Sequence, residues 1–305
     1  MTASSVSRAA QRGHRALPAV AWGITLAVSL LPDVVMNEVV RQPTPWLWLA
    51  KVTLLLAALA VTFLWKPIAR LRAYLVVLVI FCVAAWIWEW IGGTALWQGW
   101  FGGDSFVTGM LGIQLTKLGA ATLMILALWV LKRRRQDFYL VAGDLDAPAQ
   151  GVRWLGIDPG TRWSRLGWIA GVLISLGTLA FLVLAGRPSV HALAGALSLL
   201  PAVLLLAVLN AFSEEVSYRA SLLSALDGVV GVQQVLLLSA FFFGIAHYYG
   251  VPYGVLGVVM SGFLGWFLGK AMIETRGFFW AWFIHFLQDM AIFFFIAAGS
   301  IVPGG

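Results

Sequence analysis

Ionisable side chains interrupt the most apolar stretches in the C-terminal half of the chain. Six of them matter here: Glu214, Glu215, Arg219, His247, His285 and Asp289. Charged groups within a membrane span are costly, so a functional or paired role is the first hypothesis for each of them. A carboxylate with two imidazoles can act as a general base on water, hold a metal ion or relay protons. The residue types alone leave these three chemistries open.

Helical spacing separates the two adjacent glutamates. Glu215 and Arg219 are four residues apart and can pair along their own helix. Glu214 points about 100° away from Glu215 and can face another helix. We therefore predict a structural pair of Glu215 with Arg219 and a chemical role for Glu214.

The remaining polar residues share helix faces and depth. Phe243 and His247 lie on one face of their helix, and His285 and Asp289 lie on one face of theirs. At a rise of 1.5 Å per residue, Glu214 and Asp289 lie about 18 Å from the inner ends of their spans. His247 lies about 22 Å deep by the same measure. This agreement predicts one site shared by three helices.

Three motifs carry a resemblance to a known family. They are Glu-Glu-x-x-x-Arg at 214–219, Phe-x-x-x-His at 243–247 and His-x-x-x-Asp at 285–289. In this order and on separate spans, they resemble the CPBP family of intramembrane endopeptidases, which includes type II CAAX prenyl proteases and Abi-like proteins. The resemblance covers about 190–299 and implies hydrolysis of a peptide bond in a membrane-associated or lipidated peptide or protein.

The resemblance also implies roles for individual residues. Glu214 and His247 would activate the attacking water, and His285 and Asp289 would stabilise the oxyanion. Asp289 departs from the prenyl-protease pattern, which has asparagine there, and an ionised aspartate would repel an oxyanion. Asp289 must therefore be protonated or act by orienting His285. Prokaryotic branches often have aspartate at this position, and we expect a prokaryotic cell membrane protein.

Metal dependence has two alternatives within this resemblance. Glu214, His247 and His285 form a two-histidine, one-carboxylate set that suits Zn²⁺. No H-E-x-x-H helix places both imidazoles beside a base, so we favour a glutamic mechanism without a cofactor.

The elements that must position these residues are membrane helices. Hydrophobic residues make up 61% of the 305-residue chain and charged residues 11%, against about 25% charged in soluble domains. Apolar windows of roughly 20 residues, without alternating strand patterns, predict an all-α polytopic transmembrane bundle of about eight or nine spans. The nine windows are 18–40, 45–65, 72–92, 107–131, 167–186, 190–226, 232–250, 251–270 and 277–299.

The net charge of +7 comes from cations that cluster at span ends, which favours contact with the lipid bilayer over nucleic acid. Arg8, Arg12 and Arg15 precede the first span, and the positive-inside rule then predicts a cytoplasmic N-terminus. The ionisable residues within spans of the first half lie near span ends or within about two turns of them, where a loop position or snorkelling usually explains such residues. These are Asp33, Glu38, Lys51, Glu89 and Lys117.

A polar stretch beginning with Lys132-Arg133-Arg134-Arg135 divides the chain. We predict a four-span N-terminal region at 1–135, a cytoplasmic linker at 136–166 and a protease domain at 167–305. Two other functions fit the same residues. In a proton-coupled transporter the carboxylates and imidazoles would form a relay, and in a non-catalytic scaffold or self-immunity protein they would be dispensable.

Overall fold

The chain folds into a bundle of α-helices. A computed structural model describes the backbone of residues 3–299 and the side chains of residues 16–299. Within this part of the chain no β-strand occurs, which confirms the predicted all-α class. In chain order, α1 to α13 are Ala3–Val28, Leu31–Val34, Leu47–Leu64, Arg72–Gly92, Ala95–Phe101, Phe106–Val130, Trp163–Gly186, Val190–Ala196, Leu200–Glu214, Ser221–Leu226, Val232–Ala246, Val255–Thr275 and Phe279–Ala297.

Short helical segments of other types join some of these helices. Two π-helical segments, Val35–Val40 and Glu215–Ala220, extend α2 and connect α9 to α10. Three 3₁₀ segments lie at Lys66–Leu71, Arg153–Leu155 and Leu197–Leu199. Residues 190–226 therefore form one nearly continuous apolar rod that contains both glutamates.

The part of the chain that the structure describes has seven or eight candidate membrane spans, against the eight or nine predicted. Among the described residues, seven helices are long and apolar enough to cross a membrane. An eighth span exists if Ala16–Val28 and Leu31–Val40, which bend by 46° at their junction, count together. Arg8, Arg12 and Arg15, which support the predicted orientation, lie outside the residues whose side chains are described.

The predicted window at 232–250 does not contain a helix long enough to span a membrane. Only Val232–Ala246 is helical there, which gives 15 residues against the roughly 20 that a span requires. Gly250 and Pro252 follow, and neither residue type favours continuation of a helix. The early end of α11 places His247 at its C-terminal cap rather than inside a span.

Close backbone packing fixes α11 against α12. A Cβ added at Gly244 would lie 2.7 Å from the Val258 carbonyl oxygen and 3.0 Å from the Gly262 Cα. Glycines at such a contact let two helices approach more closely than larger residues allow. Gly244 lies less than one turn before His247, so this contact also sets the position of the histidine.

The segment at 136–166 folds onto the turn between α12 and α13. Its backbone forms two hydrogen bonds with this turn, from Asp144 N to Thr275 O (2.8 Å) and from Phe278 N to Val141 O (2.8 Å). The Trp163 indole donates to Glu274 Oε2 at 2.9 Å. These contacts fix the start of α13, which carries His285 and Asp289.

The close approach of Gly143 to this turn predicts a stability difference between two glycines. Gly143 and Gly160 have φ angles of +81° and +83°, where alanine costs about 1–2 kcal/mol. A Cβ at Gly143 would also lie 2.6 Å from both the Gly277 Cα and the Thr275 carbonyl oxygen, whereas Gly160 has open space. We expect Gly143→Ala to increase protease cleavage within 136–166 far more than Gly160→Ala. Equal cleavage of the two variants would contradict the docking of this segment.

Candidate active site

Three helical segments bring the predicted site residues together. Glu214 ends α9, His247 caps α11, and His285 and Asp289 lie on α13. Glu214 Oε2 lies 3.5 Å from His285 Nε2 and 3.9 Å from His247 Nε2. The two imidazoles therefore face the same carboxylate oxygen. Among the described residues, this oxygen is buried and has no hydrogen-bond partner.

Glu215 contacts the same imidazole as Glu214. Glu215 Oε1 accepts a hydrogen bond from His285 Nδ1 at 2.7 Å. Both glutamates therefore contact one imidazole, although regular α-helical spacing predicts that only Glu214 faces another helix. The backbone is α-helical at both glutamates, so the two side chains reach His285 from adjacent positions of one helix, and the π-helical segment follows at Glu215–Ala220.

The Glu215–Arg219 pair has the predicted partners and is completely buried. Arg219 Nη1 lies 2.9 Å from Glu215 Oε1, and both side chains have 0% of their surface exposed. The Arg219 guanidinium carbon also lies 3.6 Å from the centre of the Phe243 ring. A cation over an aromatic face gains electrostatic attraction that is largest where water is excluded. Glu215 and Phe243 together make the buried arginine tolerable.

Phe243 also fixes the ring of His247. His247 Nδ1 lies 2.8 Å from the Phe243 carbonyl oxygen. A carbonyl oxygen can only accept, so Nδ1 carries a proton in this contact. In the neutral ring, Nε2 then carries the lone pair, and Nε2 is the atom that faces Glu214.

Asp289 lies beside His285 and is held from another helix. Its Oδ2 lies 3.5 Å from His285 Nε2 and accepts a hydrogen bond from Asn210 Nδ2 at 2.8 Å. All three side chains are buried. This geometry agrees with the alternative in which Asp289 orients His285.

Lys117 belongs to the site, although the sequence analysis interprets it as a residue close to the end of a span. Its Nζ donates to Glu214 Oε1 and to Asn210 Oδ1, at 2.6 Å in both cases. The helix Phe106–Val130 places Lys117 eleven residues from its start, which is about 16 Å at 1.5 Å per residue. The signal that could have found it was this depth, since a lysine so far inside an apolar helix needs a partner.

Two cavities meet at these residues. One, of about 260 Å³, is bordered by all four predicted catalytic residues: Glu214, His247, His285 and Asp289. The other, of about 440 Å³, is lined on one side by α4 and α6 and on the other by residues between Ser213 and Tyr218 and by the C-terminal end of α11. Lys117, Glu214 and His247 border both cavities. A substrate could therefore reach the carboxylate from either side.

The zinc alternative would use Glu214, His247 and His285 as ligands. Among the described residues, no group of three or more His, Cys, Asp or Glu side chains is placed to hold a metal ion. Lys117 contributes a positive charge to Glu214, the carboxylate that a zinc site would need.

Comparison with known proteins identifies the segment that carries the three motifs. Residues 196–291 match the family model described as Type II CAAX prenyl endopeptidase Rce1-like. We call residues 196–291 the Rce1-like segment, after the family to which they are similar. The match agrees with the resemblance to the CPBP family and supports, at this general level, a protease that is a multi-pass membrane protein. No curated protein and no solved structure matched the chain.

The Rce1-like segment covers about one third of the chain. It includes Glu214, His247, His285 and Asp289, and it begins at Ala196, the last residue of α8. Lys117 lies outside it, on α6. The N-terminal region therefore contributes a side chain to a site whose other residues belong to the matched segment.

Proposed function

We propose that the protein is an intramembrane endopeptidase that hydrolyses a peptide bond in a membrane-associated or lipidated peptide or protein. One observation carries the proposal. The buried Glu214 Oε2 has no hydrogen-bond partner among the described residues, and it faces two imidazole nitrogens at the border of a cavity. The Rce1-like match supports the same reaction class.

Glu214 and His247 activate water in this proposal. Their facing atoms, Oε2 and Nε2, are both acceptors and lie 3.9 Å apart, which is too long for a direct hydrogen bond. A single water can bridge two polar groups across such a gap. It donates one hydrogen to each acceptor and directs an oxygen lone pair at the substrate carbonyl carbon. Glu214 takes the proton as the bond to carbon forms, and later returns it to the leaving amine.

His285 stabilises the oxyanion that this attack produces. Its Nδ1 is held by Glu215, so Nε2 can donate to the oxyanion when the ring carries both protons. Asp289 acts on the same ring from 3.5 Å and does not contact the oxyanion. Its acceptor role toward Asn210 explains how an aspartate can replace the amide expected at this position.

The proposed reaction needs no metal, because the Lys117 ammonium opposes a divalent cation at Glu214. We expect purified protein to contain substoichiometric zinc and to retain its activity after treatment with a chelator. Zinc measured by mass spectrometry, together with cleavage rates before and after chelation, checks this expectation. Stoichiometric zinc whose removal abolishes cleavage would overturn the metal-free mechanism.

The substrate is identified by incubating liposomes that contain the protein with a peptide library. The library comprises single-span peptides and peptides with lipidated or unmodified C-termini. Products are sequenced by mass spectrometry. Internal cleavage by the wild-type protein, at a bond whose flanking residues recur among the products, supports the proposal. A library left intact would contradict it.

A further inference from the structure

We propose that Lys117 is a positioning residue of this active site. Its ammonium holds the Glu214 carboxylate so that one oxygen, Oε2, faces the two imidazoles. This inference rests on the proposed function and adds a residue from α6, outside the Rce1-like segment.

The contacts of Lys117 select one oxygen of the carboxylate. Lys117 Nζ lies 2.6 Å from Glu214 Oε1, and Oε2 remains without a hydrogen bond in the described part of the chain. Hydrogen bonds between charged groups are roughly twice as strong as those between neutral groups. Such a bond at Oε1 restrains rotation of the carboxylate. Oε2 is thereby kept in place as the proton acceptor.

The same ammonium also restrains the opposite side of the site. It donates to Asn210 Oδ1 at 2.6 Å, and Asn210 Nδ2 donates to Asp289 Oδ2 at 2.8 Å. Asp289 Oδ2 and Glu214 Oε2 each lie 3.5 Å from His285 Nε2. These contacts close a ring of five side chains from α6, α9 and α13. Removal of Lys117 would loosen the base and the imidazole together.

A simple structural ion pair is the competing explanation for Lys117. Such a pair would need only one partner and no particular position relative to the reacting atoms. Lys117 instead binds two side chains and borders both cavities. Its side chain keeps 38% of its surface exposed. These features place it within the reaction site.

Kinetics of Lys117→Met distinguish the two explanations. A reacting group displaced by about 1 Å can lose about 100-fold in rate, so we expect kcat to fall by about this factor with KM within about twofold. The assay uses the peptide that wild-type protein cleaves fastest in the library. Lys51→Met is the control, because Lys51 is also a lysine of an apolar helix, paired with Asp33. An unchanged kcat for Lys117→Met, or a loss entirely in KM, would overturn the proposal.

Chemical rescue distinguishes the role of the charge at position 117 from an effect of the substitution on folding. Cys82 is the only cysteine in the chain, so Lys117→Cys in a Cys82→Ala background has one reactive thiol. Reaction with 2-bromoethylamine restores an ammonium close to the reach of lysine, whereas iodoacetamide adds a neutral group. We expect the aminoethylated protein to regain about tenfold or more in kcat. The carbamidomethylated protein should regain no activity. Equal rates for the two products of one folded preparation would contradict the role of the charge.

A stability cycle tests the contact without depending on cleavage. Unfolding midpoints are measured for Lys117→Met, Glu214→Gln and the double variant in detergent. The shifts should be non-additive, because the two side chains share a contact, and Lys51→Met should combine additively with Glu214→Gln. Additive shifts for Lys117 and Glu214 would overturn the inference. If wild-type protein cleaves no peptide, the proposed function fails while this cycle still decides the Lys117 contact.

Discussion

Replacing Glu214 with glutamine is expected to lower kcat for peptide cleavage by about 10³-fold or more, within the range that general acid–base catalysis contributes. Glutamine keeps the size of the side chain and removes its ability to take a proton from water. The measurement is single-turnover cleavage of the best library peptide in liposomes. Glu89→Gln is the matched control, because Glu89 is an exposed carboxylate on α4. It should cleave at the wild-type rate.

Combining this change with His247→Ala sharpens the result. If both side chains bind one water, each single change removes the same activated nucleophile, and the double variant should lose no more than either alone. Losses that multiply would show that the two residues act in separate steps. Cleavage retained by a folded Glu214→Gln protein would exclude Glu214 as the base.

Replacing Arg219 with methionine is expected to produce the largest loss of stability. Arg219 is fully buried and pairs with the equally buried Glu215. Removal of one partner of a buried ion pair costs about 3–5 kcal/mol, because the other charge is left without compensation. The loss of the contact with the Phe243 ring adds to this effect. The fraction of monodisperse protein after stepwise heating measures the change.

The control for Arg219 is an exposed ion pair of the same type. Arg162 lies 2.8 Å from Asp146, and both side chains are largely exposed. Exposed pairs contribute little to stability, so Arg162→Met should be indistinguishable from wild-type protein by heating. Glu215→Gln added to Arg219→Met should recover part of the loss, since it removes the uncompensated carboxylate. Wild-type stability of Arg219→Met would contradict the importance assigned to this pair.

Much of the fold could be predicted from the sequence. Long apolar windows determine a helical membrane protein, because backbone groups in lipid must form their hydrogen bonds internally. Of the nine predicted windows, 232–250 contains a helix of only 15 residues, because average hydrophobicity conceals Gly250 and the Pro252 that follows the window. A window measures composition over many residues, whereas two residues are enough to end a helix.

The residues that form the site could be predicted from the sequence, whereas several contacts between them could not. Order and spacing of the motifs indicated the residues that surround Glu214 Oε2, since spacing along a helix determines which side chains share a face. The contact of Glu215 with His285 could not be predicted in this way, because spacing along one helix does not determine which side chains of a neighbouring helix come within reach.

Lys117 was missed for a different reason. Its depth within an apolar helix could be seen in the sequence, but its partner could not. The lysine lies 97 residues from Glu214 along the chain, and helical spacing carries no information across such a separation. The interpretation as a residue near a span end was wrong because the residue lies well inside α6. An unexplained intramembrane cation in one region and an unexplained carboxylate in another are a pair worth testing together.

Cleavage in water enriched in ¹⁸O tests the central claim most directly. Liposomes with wild-type protein or Glu214→Gln are incubated with the best library peptide, and the products are weighed by mass spectrometry after a single turnover. The proposed mechanism predicts ¹⁸O in the new C-terminal carboxylate with the wild-type protein and no product with the variant. Equal labelled product from both proteins, or no cleavage by either, would contradict hydrolysis by water that Glu214 activates.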